Sequence, residues 1–443
     1  MIDVGTFSTR TCGGFGRRSF LRLGSSLPLV LGASSSIALG SQPAKAKSVI
    51  FVFLWGAPSH LDTCDPKPDA PAEFRGPFGV IPTRTPGVSF TELIPRIAVR
   101  SDRFSLVRTH VTTAPGHPDA GTVALTGFPE LPTPVQPNFG SIVAKARGNR
   151  GVLPSFFSIA RGVVMDGGRR IEGYGGGTLS QAHDPFLVGC TESGDVDFPA
   201  LKLLDGLNPL RIEDRHRLLV QLDAAARRAE QEGVKSWNRN AQSAYDLLLD
   251  PAARQAFDLT RETDEVRGRY GYTTFGQSSL LARRLVEAGV AYVQLNYSRH
   301  VEALNPGFEF GWDTHIYNFE LLQDQLCPIL DRAFSALLDD LYERGLIDDT
   351  LVVMMGEFGR TPKITPRAAR DHWPPCYFSI WAGGGVQPGR VIGSSDKRGE
   401  HPLGEPVSPL MVGTTIAHLA GLDTQARAEM NVLAGGKLID ALL

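Results

Sequence analysis

Residues 47–54, KSVIFVFL, set the first limit on what this chain can become. The run is β-branched and aromatic and does not alternate with polar positions, the pattern of a strand buried on both faces of a parallel sheet. It stops at Gly56-Ala57-Pro58, a chain-reversal signal. Comparable stretches recur at 104–108, 155–159, 290–296, 350–355 and 377–382. Between them lie segments with apolar spacing of three and four. In 316–344, Ile316, Phe319, Leu322, Leu326, Ile329 or Leu330, Phe334, Leu337, Leu338 and Leu341 form one stripe and predict a long helix, with a kink expected at Pro328. A second helix is expected over 275–288, closed by Gly289. Strands alternating with helices predict an α/β fold with a mostly parallel central sheet flanked by helices. Residues 160–190 are rich in glycine (GGRRIEGYGGGT at 167–178) and 211–260 are charged and helical. They read as an insertion, about 160–260, in one domain spanning 47–443.

The N-terminus carries an address. GRRSFLRLG (16–24) matches the twin-arginine export pattern through Arg17, Arg18, Ser19, Phe20 and Leu21. A mild, Gly- and Ser-rich apolar stretch follows, and Ala44-Lys45-Ala46 has the small residues a signal peptidase reads. Residues 1–46 are therefore expected to be a cleaved leader recognised by the twin-arginine translocase, with no permanent membrane span. The mature protein would be periplasmic or secreted. The whole chain has 45 Lys+Arg against 47 Asp+Glu. Removing 1–46, with five basic residues and one acidic, leaves 40 against 46, a net charge of −6. That excess of acid argues against nucleic acid as a partner. Cys64, Cys190, Cys327 and Cys376 are widely spaced and form no CxxC, which disfavours thiolate metal clusters. An exported chain allows one disulfide, and the pairing is left open.

Ligands of open parallel sheets bind beyond the carboxyl ends of the strands. Ser59, His60, Asp62 and Asp65 follow the first predicted strand; His110, His117 and Asp119 follow the second. Asp313 and His315 lie in GWDTH beyond 290–296. Glu357 and Arg360 follow 350–355 in GEFGRTP, with Asp371 and His372 before the next strand. Carboxylates and imidazoles crowded into such loops suit a divalent metal or an anion. His216 and His418 fall inside helical patterns and read as packed or solvated.

The twin-arginine leader, GAPSHLDTCDPKP, FGQSSLLARRLVEAGV, GWDTH, DDTLVVMMGEFGRTPKI and RDHWP together resemble the family catalogued as domain of unknown function 1501, exported bacterial proteins abundant in planctomycetes. That family is placed in the alkaline phosphatase-like superfamily, beside sulfatases and phosphodiesterases. The resemblance implies an alkaline phosphatase-like core, a divalent metal ion (zinc, calcium, magnesium or manganese) and an anionic ester substrate or glycan. It implies metal ligands at Asp62, Asp313, His315, Glu357, Asp371 and His372, with His117 and Arg360 catalytic, the latter as an anion clamp. HPDAGTVALTG (117–127) is similar to the tail of the sulfatase signature, with His117 where sulfatases have their nucleophilic cysteine, so a standard sulfatase mechanism is not expected. Two function classes remain open: a metal-dependent hydrolase of phosphate or sulfate esters, and a non-catalytic exported protein binding anionic ligands. A structural partner in the cell envelope is a third reading.

Overall fold

The computed structural model describes residues 44–129, 134–149, 151, 153–160, 164–167, 169–197, 250–303 and 310–443. The twin-arginine motif and residues 211–249 of the charged stretch lie outside the described residues, while Pro251–Phe257 near its end is helical. Strand β1 (Ser48–Phe53) is buried at all six positions and occupies the middle of the sheet. Its other strands are β2 (Ser105–His110), β3 (Phe156–Ile159), β4 (Phe186–Cys190), β5 (Val196–Asp197), β6 (Tyr292–Asn296), β7 (Thr350–Met355), β8 (Tyr377–Ala382) and β9 (Val391–Ile392). Among the described residues the nine strands run in the order β9-β2-β8-β7-β1-β6-β3-β4-β5. Five neighbours, β7-β1-β6-β3-β4, are parallel, while β8 runs against β7 and β2, and β5 against β4. This is the mostly parallel α/β architecture expected.

Burial on both faces explains why β1 does not alternate. Ile50, Val52 and Leu54 point into one apolar cluster with α3 (Thr274–Glu287) and α4 (Cys327–Glu343). Val49, Phe51, Phe53 and Trp55 point into the other with α1 (His117–Thr126), α2 (Phe139–Arg147) and α5 (Pro409–Leu419). Thr273 caps α3 by accepting the Gly276 N–H, and Asn138 caps α2 likewise at Gly140. No helix among the described residues is long and apolar enough to cross a membrane.

Two expectations need refinement. The helix expected over 316–344 forms as one run from Asn318 to Glu343, but it passes through a π-helical turn, Leu322–Leu326, before α4 begins. Pro328, which has no N–H to give, falls in the first turn of α4, where none is needed. The Gly-rich stretch is not wholly an excursion, because after three 3₁₀ turns it returns to the sheet as β4.

His110, at the end of β2, is fully buried with Nε2 2.6 Å from Ser379 Oγ on β8. Burial pushes its pKa down from 6.5 to about 3. The folded state thus keeps this ring neutral while the unfolded chain protonates it below about 6.5. Between those values the unfolded state binds more protons, so stability falls as the pH is lowered, by up to about 1.4 kcal/mol per pH unit. Urea midpoints measured from pH 6.5 to 4 should fall less steeply in His110→Asn than in wild type. An equal slope would show that His110 does not drive the loss.

Candidate metal centre

The site is built on the carboxyl ends of the adjacent parallel strands β1 and β7. Beyond β1 the chain turns at Gly56, whose φ of +106° is a conformation glycine adopts freely. A Cβ at Gly56 would collide with the backbone of Trp312 and Asp313. The Gly56 N–H donates to the fully buried Glu357 just past β7, at 3.0 Å from Oε1 and 3.3 Å from Oε2. Helix α1 is drawn in by Gly121, where a side chain would meet the Trp55 ring at 2.8 Å. His117 is the first residue of that helix, edge-on to Trp55 and 4% exposed.

His117, Asp313, His315 and His372 each offer one donor atom, and these atoms all lie within 4.8 Å of one another. The Nε2 atoms of His117, His315 and His372 stand 3.1, 3.0 and 3.3 Å from Asp313 Oδ1. Each ring is held through its other nitrogen. His117 Nδ1 is 2.6 Å from Glu357 Oε1, His315 Nδ1 is 2.7 Å from Asp371 Oδ1, and His372 Nδ1 is 2.8 Å from the Pro115 carbonyl. Carboxylates and carbonyls only accept, so each Nδ1 carries the proton and each neutral ring presents a lone pair at Nε2. Rings that ligate metals are oriented in this way.

Two observations test whether a cation fits. His315 Nε2 and His372 Nε2 are 2.9 Å apart, so two lone pairs would face each other unless a proton or metal ion stood between them. The buried Nε2 of His117, though near Asp313, is not aligned for a hydrogen bond and has no partner. Donors around a tetrahedral zinc at ~2.0–2.1 Å lie about 3.3 Å apart, close to the spacings here. The residues fit an ion.

The charges agree. Burial opposes ionisation of Asp313, but the three imidazoles and the Arg360 guanidinium outweigh it and hold its pKa far below the carboxylate range. Burial also works against a charged His117, yet the Asp313 and Glu357 carboxylates push its pKa up to about 9. The Asp313 carboxylate raises His315 more than burial lowers it, with Asp371 adding to the rise. Without a metal, the centre gathers protons around one carboxylate. An ion displaces them.

Other residues named from the sequence lie elsewhere. Asp62 does not join the cluster. Its oxygens meet Arg370 Nε at 2.6 Å and Nη2 at 3.0 Å in an ion pair with both side chains fully buried. Arg360 is fully buried too, and four of its N–H directions are spent: on Ala57 O, Gly56 O, Arg370 O and Asp313 Oδ1, the last at 2.5 Å. It has no fork left for a substrate, so the anion-clamp expectation is replaced by a role in fixing Asp313. Glu357 and Asp371 stand behind His117 and His315 rather than among the converging donors. His60 and His110 are buried structural residues, bonded to Gly399 O and Ser379 Oγ. Sequence reading missed Pro115 and Gly56, which act through backbone atoms and leave no side-chain signal. The cysteines Cys64, Cys190, Cys327 and Cys376 are all buried.

The sequence pattern of one protein family matches residues 46–433. The chain belongs to DUF1501. The family is described as a protein of unknown function, in keeping with the motifs read above. No curated protein matches this DUF1501 chain. Among solved structures it is similar at 12% identity to Ps i-CgsB in complex with k-i-k-neocarrahexaose, with a TM-score of 0.41 over 89% of this chain and 75% of that one. The lipoteichoic acid synthase LtaP from Listeria monocytogenes is 10% identical, with a TM-score of 0.36 over 88% and 76%. The phosphonate monoester hydrolase SpPMH from Silicibacter pomeroyi is 12% identical, with a TM-score of 0.37 over 90% and 78%. These likenesses are too distant to bear on the chemistry of the DUF1501 site.

Proposed function

We propose that this protein is a metal-dependent hydrolase of phosphate or sulfate esters that works outside the cytoplasm. The observation that carries the metal is the convergence of three oriented imidazoles on Asp313 Oδ1. Three nitrogens and one oxygen suit zinc better than calcium or magnesium, which take oxygen ligands. A divalent ion held there supplies polarisation of an ester oxygen and acidification of a water. His117 is tied through Nδ1 to Glu357 and, on this reading, gives its partnerless Nε2 to the ion, so it holds rather than attacks. The cluster itself contains no hydroxyl or thiol, which leaves water as the attacking group. Asp371, with its side chain 57% exposed beside His315, is the carboxylate placed to take that water's proton. Substrate approaches on the side of His315 and His372, whose side chains are 38% and 24% exposed against 4% for His117. The ester class rests on the placement of the DUF1501 family, which GEFGRTP and RDHWP mark here, in the alkaline phosphatase-like superfamily. Export rests on the twin-arginine pattern at 16–24.

One observation favours a second reading. Four protein donors complete a tetrahedral set, as in structural zinc sites, whereas catalytic sites keep a position open. On that reading the protein binds anionic ligands without turning them over. Stripping the purified protein with a chelator, reloading it with zinc or manganese and screening aryl phosphates and sulfates separates the two. His117→Ala is expected to lower metal affinity at least tenfold and to abolish any ester hydrolysis. A destabilised but fully metallated His117→Ala protein would sink the metal-ligand assignment.

A further inference from the structure

The turn that carries the exposed ligand His315 ends in a residue the backbone does not favour. Tyr317 has φ +53° and ψ +34°, a left-handed conformation that a bulky side chain rarely adopts. It is also 60% exposed, and Ile316 before it is 40% exposed. A large ring that is mostly in solvent recovers little burial in return for that strain. Such strain persists only where the surroundings enforce it, and it collects at sites of function.

Here the surroundings do enforce it. Thr314, buried, donates from Oγ1 to Asn318 Oδ1 at 2.5 Å, bridging the turn from inside. Asn318, fully buried, donates from Nδ2 to Asp62 Oδ2 at 3.3 Å. Asp62 is locked by Arg370, whose guanidinium also donates to Thr361 O, Pro362 O and Phe74 O. His315 on the near side is tied to Asp371. Each flank of Ile316-Tyr317 is thus anchored, and the two exposed side chains directly follow His315 in the chain. A π-helical turn, another irregularity that recurs at functional sites, follows at Leu322–Leu326.

We propose that Tyr317, with Ile316, is the specificity surface of the metal centre, an aromatic face against which a six-membered ring of the substrate lies while its anionic group reaches the ion. This rests on the metal-centred reading above and deepens it. The substrate class is a ring-bearing monoester, in which the ring presents C–H edges or a π-face to the tyrosine. A sugar and an aryl group share that chemistry. The ion pair of Asp62 and Arg370 then acts at a distance, by positioning Tyr317 through Asn318.

The test is equilibrium binding to zinc-loaded protein, so that it does not depend on turnover. The probes are phenylphosphonate, glucose 6-sulfate and the ringless pair methylphosphonate and methyl sulfate. Wild type should prefer a ring-bearing probe over its ringless counterpart by about three- to tenfold, the usual worth of an aromatic contact. Tyr317→Gly should abolish that preference, leave zinc content and ringless binding unchanged, and raise Tm because glycine relieves the strain. Tyr317→Phe should keep the preference. Preference for the sulfated glucose alone assigns a sugar ester, and for phenylphosphonate alone an aryl ester. A preference that survives Tyr317→Gly, no preference in wild type, or no binding of any probe overturns the inference. Ester turnover is scored separately: a Tyr317-dependent preference without turnover keeps the recognition surface and sinks the hydrolase.

Discussion

Replacing Asp313 with alanine is expected to destabilise the protein by about 3 kcal/mol and to abolish metal binding. Both effects start from one oxygen. Asp313 Oδ1 faces His117, His315 and His372 and accepts a bond of 2.5 Å from Arg360, which is fully buried. Removing one partner of a buried ion pair typically costs about 3–5 kcal/mol, because the other charge is left uncompensated. Asp313 keeps 16% of its side chain in solvent and Arg360 retains three backbone carbonyls, which places the loss at the low end. Asp313→Asn preserves shape and one acceptor, so its stability should fall between wild type and alanine while its metal affinity falls with the lost charge. Urea unfolding of the chelated proteins gives the first quantity, and metal titration followed by calorimetry gives the second. An alanine variant that unfolds like wild type and still binds one ion per chain would remove Asp313 from the centre.

The opposite pattern is expected for Asp62. Its carboxylate pairs with Arg370 where neither side chain reaches solvent, so Asp62→Ala should cost about 3–5 kcal/mol and leave the metal in place. Arg370→Met should cost a similar amount. The double variant Asp62→Leu/Arg370→Met should be less unstable than the two losses added together, since no orphaned charge remains. Because Asn318 leans on Asp62, a modest loss of ring preference at Tyr317 should accompany the single change. Unfolding midpoints and zinc content on the same preparations decide the matter. Loss of zinc with unchanged stability would make Asp62 a ligand, against its place in the ion pair.

The strands at 48–53, 350–355 and 377–382 were legible because each is a largely apolar run without polar alternation, the mark of burial on both faces. β4 was not, because FLVGC is short and emerges from a glycine-rich stretch whose composition reads as loop. His117, Asp313, His315 and His372 could all be named from their positions after predicted strands. Which residues would converge and which would stand behind them could not, since a carboxylate beside a strand end looks the same in either role. The motifs suggest a ligand at Glu357, which stands behind His117, and a substrate-facing Arg360, which instead faces backbone carbonyls. The partner of His372 is a carbonyl at Pro115, and no alphabet of side chains records it.

The spacing of the converging residues along the chain has a mechanical meaning. His315 and His372 are 57 positions apart, and His117 lies 240 positions from the Glu357 that steadies it. An ion joining them would be a removable cross-link between distant stretches of polypeptide, fastened above a sheet already secured by its two apolar layers. Withdrawing the ion would therefore slacken the rim and leave the foundation standing. Metal supply would govern the shape of the site, while the fold beneath keeps its own stability.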